Sequence, residues 1–380
     1  MINILKRITG HSKANVSGWH TNRRIIIIES DDWGSTRMPS LEILNTLIQQ
    51  KKVEFCLDTG FEKNDTIASL SDLENLFEVL SSVKDKNNNS AVITANCVVA
   101  NPDFAKIKES DFSEYHYEWI TDTMTKYYPQ ANPFNLWEQG MDSGLFYPQF
   151  HGREHLNVQL WLYLLRNNIS GARDAFNETV YSQSFRVPND NRTEVLSAYD
   201  YRNESERLFI KKSIHDGLNI FEELFGYRSV SAISPCYVWD DYVEKCYLDE
   251  GIKYIQGGLF QHYSTFQKKQ FNKIGRYHYC GEKNKTGQYY LVRNCFFEPS
   301  QYENIDFIDQ CLSKIKLAFF WKKPAIISAH RLNFIGVLNM NNRDKNLKSL
   351  AILLKEIVKR WPDIEFATSD KLFDMINKQD

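Results

Sequence analysis

The sequence lacks any run of about 18 apolar residues, the length a helix needs to cross a membrane, so no membrane span is expected. Met1 to Gly10 carries Lys6 and Arg7 without the apolar core of a signal peptide. An excess of charge is also missing: 46 Lys and Arg stand against 48 Asp and Glu, a net charge of −2. That balance excludes a generally basic surface for nucleic acid or anionic lipid. Cysteine is sparse and unpaired in pattern. The seven residues, Cys56, Cys97, Cys236, Cys246, Cys280, Cys295 and Cys311, are odd in number and contain no Cys-x-x-Cys. Neither a disulfide framework nor a zinc knuckle is expected from them. Free thiols imply a reducing compartment, hence the expectation of a cytoplasmic protein.

What is present is core-forming material, 42% hydrophobic and 14% aromatic residues in 380, ample for one large α/β domain. Its organising stretch is Arg24 to Gly34. Ile25 to Ile28 are four consecutive β-branched residues, the look of a parallel strand buried on both faces, and they lead to Asp31, Asp32, Trp33 and Gly34. Two adjacent acids repel each other when ionised in one site, a cost that a cation relieves.

Beyond this strand, apolar helical faces alternate with short strands. Leu41, Leu44, Leu47 and Ile48 share a helix face, and Val53–Leu57 reads as a second strand. Ser71 and Glu74 read as a capping box before a helix containing Leu76 and Leu80. Further strands are expected at Ala91–Asn96, Leu145–Phe150, Ser229–Ile233, Tyr254–Ile255, Tyr289–Phe297, Ala325–His330 and Ile364–Ala367. Long helices are expected over Glu204–Phe225, stopped by Gly226, and over Asn304–Trp321 and Asn346–Arg360. The alternation predicts one α/β domain over residues 1–380: a distorted (β/α) barrel of seven or eight parallel strands. Long insertions at one end are expected at about 101–143, 170–201 and 257–288. The first is rich in aromatics, including Tyr115, Tyr117 and Trp119, suited to packing the insertion onto the body or to stacking on sugar rings.

Asp31, Asp32, His151, His155 and His330 each end or directly follow an expected strand. In a parallel barrel such positions converge at one mouth however distant they are in sequence. One Asp with two His makes a three-ligand catalytic zinc site with a position left open. The His151/His155 spacing suits shared ligation if the segment is helical.

In these ordered motifs the chain resembles the polysaccharide deacetylase family of metal-dependent carbohydrate esterases: Ser30-Asp31-Asp32, His151 to His155, Ser234-Pro235-Cys236-Tyr237, and Ser328-Ala329-His330. The ending Glu365 to Ser369 is also similar to that family's last strand. The resemblance implies a hydrolase that removes acetyl groups from a sugar or glycan precursor, with a divalent metal, most plausibly Zn2+, as cofactor. It implies Asp31 as general base, Asp32, His151 and His155 as metal ligands, and His330 as general acid. The backbone after Pro235, through Tyr237, would help hold the oxyanion, with Trp33 beside the substrate.

The chain departs from the family in four places. Glu29-Ser30 precede the acid pair and Trp33 separates it from Gly34, Gly152 follows the first histidine, Ile233 stands where an arginine would partner Asp31, and no acid matches the one that tunes the general-acid histidine. Three rival readings follow. His151-Gly152-Arg153-Glu154-His155 fits the inverted zinc-protease motif, with Glu154 as base. The same barrel could cleave another C–N bond or a glycosidic bond. It could also be a degenerate barrel that binds glycans without turnover.

Overall fold

The computed structural model describes residues 14–51, 53–55, 60–185, 195–302 and 305–378. The isoleucine run lies inside strand β1 (Arg24–Trp33), and Ile25 to Ile28 are all at most 2% exposed. The strand needs apolar residues on both faces because it has sheet neighbours on each side and helices outside. It runs parallel to β2 (Ile93–Cys97), which is followed around the sheet by β3 (Phe146–Phe150), β4 (Ser231–Ile233) and β5 (Tyr254–Gly257). Strand β6 (Tyr289–Val292) pairs with β5, whereas β7 (Cys295–Phe296), three residues further on, pairs with β8 (Ala325–His330), which in turn pairs with β1.

Segment 289–296 therefore closes the ring. Between its halves, the Arg293 N–H donates to Gly257 O at 2.9 Å and the Asn294 N–H to Ile326 O at 3.1 Å. Strand β9 (Ile364–Ala367) joins the N-terminal half of β1. All these pairings are parallel, as expected for a (β/α) barrel. Among the described residues, with the halves of 289–296 counted as one, seven strands make the ring and β9 is an eighth.

Register places the site. Asp31 lies opposite His330, Cys97 opposite Phe150, and Ile233 opposite Gln256. The residues that follow these pairs all emerge at the carboxyl rim. Helices Glu204–Phe225, Phe307–Phe320 and Met340–Arg360 cover the outside with apolar faces. The first ends at Gly226 in the left-handed region, as expected.

Several local expectations need correction. The capping box lies two residues earlier, at Ser69 and Asp72. The Asp72 side chain accepts from the Ser69 N–H at 2.9 Å, and Ser71 and Glu74 lie within the helix it starts, Leu70–Ser81. Asp reaches back as well as Glu does, and Leu70 must be helical to carry the apolar face. Val53–Leu57 adds no strand to the barrel: Glu54 makes one isolated bridge with Ser184, while Cys56 and Leu57 lie outside the described residues. The last long helix begins at Met340, six residues before its first expected residue, because Asn339 caps it.

Segment 101–143 carries helices Phe104–Glu109, Ile120–Tyr127 and Pro133–Asp142, the last packing Trp137 against Trp33 and Phe146. Segment 257–288 includes an antiparallel pair, Phe260–His262 with Gly275–Tyr277.

Candidate metal centre and active site

In a regular strand Asp31 and Asp32 would point to opposite faces. The pairing of β1 with β2 shifts register between Ser30 and Trp33, and Asp32 adopts a left-handed φ of 73°. This bulge brings both carboxylates to one cavity at the rim, shared with His151, His155, His330, Tyr237 and Cys236. Trp33 goes the other way. It is 1% exposed, packs edge-on against Phe146 with ring centres 5.0 Å apart, and donates its indole N–H to Ser30 Oγ at 2.9 Å. The structure puts it in the core and not beside a substrate, because the bulge turns position 33 inward. Pro235 is buried beneath the loop, while Tyr237 reaches the cavity.

Asp32 Oδ1 lies 3.3 Å from His151 Nε2 and 3.4 Å from His155 Nε2. Two ligand atoms each about 2.1 Å from one tetrahedral ion stand roughly 3.4 Å apart, so the three residues could hold a metal ion. Protonation also fits. Burial lowers the His155 imidazole to about 3, which keeps it neutral. Burial alone would raise the Asp32 carboxyl, but His155, His151 and Arg37 hold it well below the usual range. His151 Nδ1 lies 2.9 Å from Ile233 O; a carbonyl can only accept, so Nδ1 carries a hydrogen and Nε2 is the nitrogen turned toward Asp32.

The two histidines do not share a helical turn. Residues 151–157 are loop, and the helix begins at Val158, capped by Asn157. Gly152 takes φ +107°, and a Cβ there would lie 3.1 Å from Glu154 O and 3.2 Å from Tyr199 Oη. Glu154 is fully engaged, accepting from Arg153 Nε at 2.6 Å, Arg153 Nη2 at 3.1 Å and Ser213 Oγ at 3.1 Å. The inverted protease motif needs a helix and a free carboxylate, and this segment has neither.

Asp31, without an evident partner in sequence, has a strong one. Arg293 donates through Nη1 to Oδ2 at 2.5 Å and through Nη2 to Oδ1 at 2.6 Å, while Asn96 Nδ2 adds a bond to Oδ1 at 2.8 Å. The Arg293 Nε also donates to Glu29 at 2.7 Å. Burial alone would raise the Asp31 carboxyl; the guanidinium beside it holds it down to about 2. Burial wins at Glu29, whose carboxyl is raised despite Arg293 and Ser369. Arg293 was findable, as a cation inside the apolar run 289–297, directly after a strand.

His330 is likewise braced from an unexpected place. Its Nδ1 lies 2.7 Å from Glu298 Oε1, and its Nε2 is 3.8 Å from Asp31 Oδ2. Burial pulls the imidazolium down, but Glu298, Asp32 and Asp31 raise it to about 9. His330 thus stabilises the fold most fully below pH about 6.5, its unperturbed value, and that share is lost as pH rises through about 9. In the metal-free protein, Glu298→Gln is expected to shift the His330 titration, followed by NMR, to lower pH. An unmoved titration would show that Glu298 is not its main partner.

No family model and no curated protein sequence matches this chain. Several solved structures align with it. A 4-alpha-glucanotransferase from Thermococcus litoralis aligns at 10% identity and TM-score 0.47, over 93% of this chain and 40% of that one. A putative polysaccharide deacetylase from Mycobacterium smegmatis aligns at 9% identity and TM-score 0.43, over 96% and 94%. Puue allantoinase aligns at 11% identity and TM-score 0.45, over 93% and 90%. At such distances the functional reading rests on the geometry of the site.

Proposed function

We propose that this protein is a metal-dependent hydrolase that removes acetyl groups from a sugar or glycan precursor. One observation carries the reading. A three-ligand metal group shares a single cavity with a carboxylate clamped by Arg293 and a histidine clamped by Glu298. Asp32, His151 and His155 would hold a divalent ion, with Zn2+ best suited to the mixed oxygen and nitrogen donors. Such an ion supplies Lewis acidity toward a carbonyl and toward water.

Asp31 is ionised at neutral pH and accepts the proton of the attacking water. Its low basicity makes that transfer favourable only from water that has been acidified. His330 is protonated at neutral pH and gives its Nε2 proton to the departing amine or alcohol. Tyr237 follows Cys236, and both take a left-handed backbone, φ 55° and 54°. That turn puts both residues on the cavity wall, with the Tyr237 N–H committed to Ser234 O at 3.0 Å. The braces that Arg293 gives Asp31 and Glu298 gives His330 favour turnover over a degenerate sugar-binding barrel.

The test is acetate release from N- and O-acetylated sugars by purified, zinc-loaded protein, alongside metal analysis. About one metal per chain and activity lost to chelator and restored by zinc are expected. No acetate from any member of the panel would defeat the reading.

A further inference from the structure

The cavity over the metal group is small and walled. It encloses about 220 Å3, below the roughly 300–1,000 Å3 of pockets for drug-sized ligands. One wall comes from the short helix Phe61–Asn64, and beside it stand Ser182, Ser184 and Leu196. A cavity of this volume matches a single sugar ring and not a run of linked sugars laid along it.

Glu62 in that wall has no task in the mechanism. It is 4% exposed yet lines the cavity, and its Oε2 accepts from Ser182 Oγ at 2.9 Å. Oε1 accepts nothing among the described residues. Burial raises the carboxyl to about 7, against the pull of Arg37 and Ser182. Arg37 cannot neutralise it fully, because its Nε is committed to Asp65 at 3.0 Å and its Nη2 faces Asp32 at 3.5 Å. Oε1 is thus an open acceptor on the cavity wall that a ligand O–H can fill. Phe61 beside it offers an apolar surface: it meets the His330 ring edge-on, with ring centres 5.3 Å apart.

We infer that the site takes one sugar-sized acylated molecule, inserted end-on, and that Glu62 fixes it by accepting a hydrogen bond from a ring hydroxyl. This rests on the hydrolase reading above. Glu62 is a specificity residue, oriented by Ser182, and takes no part in bond making.

The experiment uses the full zinc-loaded chain with N-acetylglucosamine, its β-1,4-linked tetramer and, as a sugar-free reporter, 4-nitrophenyl acetate. The monosaccharide is expected to have a kcat/KM about 100-fold above that of the tetramer. Glu62→Gln is expected to raise the monosaccharide KM about 10- to 100-fold, the range for a hydrogen bond to a charged group, with a smaller effect on kcat. Ser182→Ala, which only frees the carboxyl to turn, is expected to raise KM less. Metal content and melting temperature of both variants establish that they are folded. Equal or better turnover of the tetramer, or an unchanged KM in folded Glu62→Gln, overturns the inference. Hydrolysis of the aryl ester but of no sugar overturns it while leaving the hydrolytic centre standing. Failure on all three probes removes the hydrolase reading itself.

Discussion

Arg293→Leu is expected to lower stability at pH 7 by about 3–5 kcal/mol, the range for removing one partner of a buried ion pair. The guanidinium has no exposed surface and holds two carboxylates, Glu29 at 2.7 Å and Asp31 at 2.5 Å. It also donates to Ser328 Oγ and Tyr237 Oη, each at 3.1 Å. Leucine fills most of the space and leaves both acids buried with no counter-charge.

The loss depends on pH, with a defined sign. The folded Asp31 carboxyl sits at about 2, below its usual 3.8. Its contribution is therefore present above pH about 4 and disappears as pH falls toward 2. The gap between wild type and Arg293→Leu is then widest at neutral pH and narrows in acid. Denaturant titrations at pH 7 and pH 3 check this; a difference under about 1 kcal/mol at pH 7 would mean that the clamp contributes little. Arg293→Lys is expected to rescue only partly, since an ammonium cannot span Glu29 and both Asp31 oxygens in one plane.

Asp31→Asn and Asp32→Asn are expected to separate two neighbouring carboxylates into two roles. Asp32 Oδ1 faces both histidine nitrogens, and its amide would be a poor third ligand for zinc. Metal content should drop from about one equivalent to near none, and activity with it. Asp31 is held by Arg293 and Asn96 with a lone pair of Oδ2 left to accept a proton, and no hydrogen bond joins it to either metal-binding histidine. Asparagine there should keep the metal and lower kcat by about 10²- to 10⁴-fold, the usual worth of general acid–base assistance. Metal analysis of the purified variants, paired with single-turnover acetate release, decides the matter. Loss of metal from Asp31→Asn would refute the division of roles.

Much of the barrel was legible in the linear chain. Runs such as Ile25–Ile28 and Ala325–Ala329 can only be strands covered on both faces, and helices of matching length fall between them. The convergence of Asp32, His151 and His155 was legible for the same reason: in a parallel barrel every strand delivers its last residues to one rim, whatever the separation in sequence.

Which side chains the braces would meet was not legible. Arg293 lies between the half-strands 289–292 and 295–296 and not at position 233, and Glu298 follows the second half-strand. Partnership between side chains depends on distance in space, and closure of the ring by 289–296 is what brings these two against Asp31 and His330. The direction of Asp31, Asp32 and Trp33 was equally hidden, since a bulge at one residue reverses which face its neighbours meet. The alternation of apolar runs with helical faces thus carries the architecture and the list of rim residues. Pairing across the closed barrel, with one left-handed residue at position 32, determines which of them meet, which turn to the core, and how each is charged.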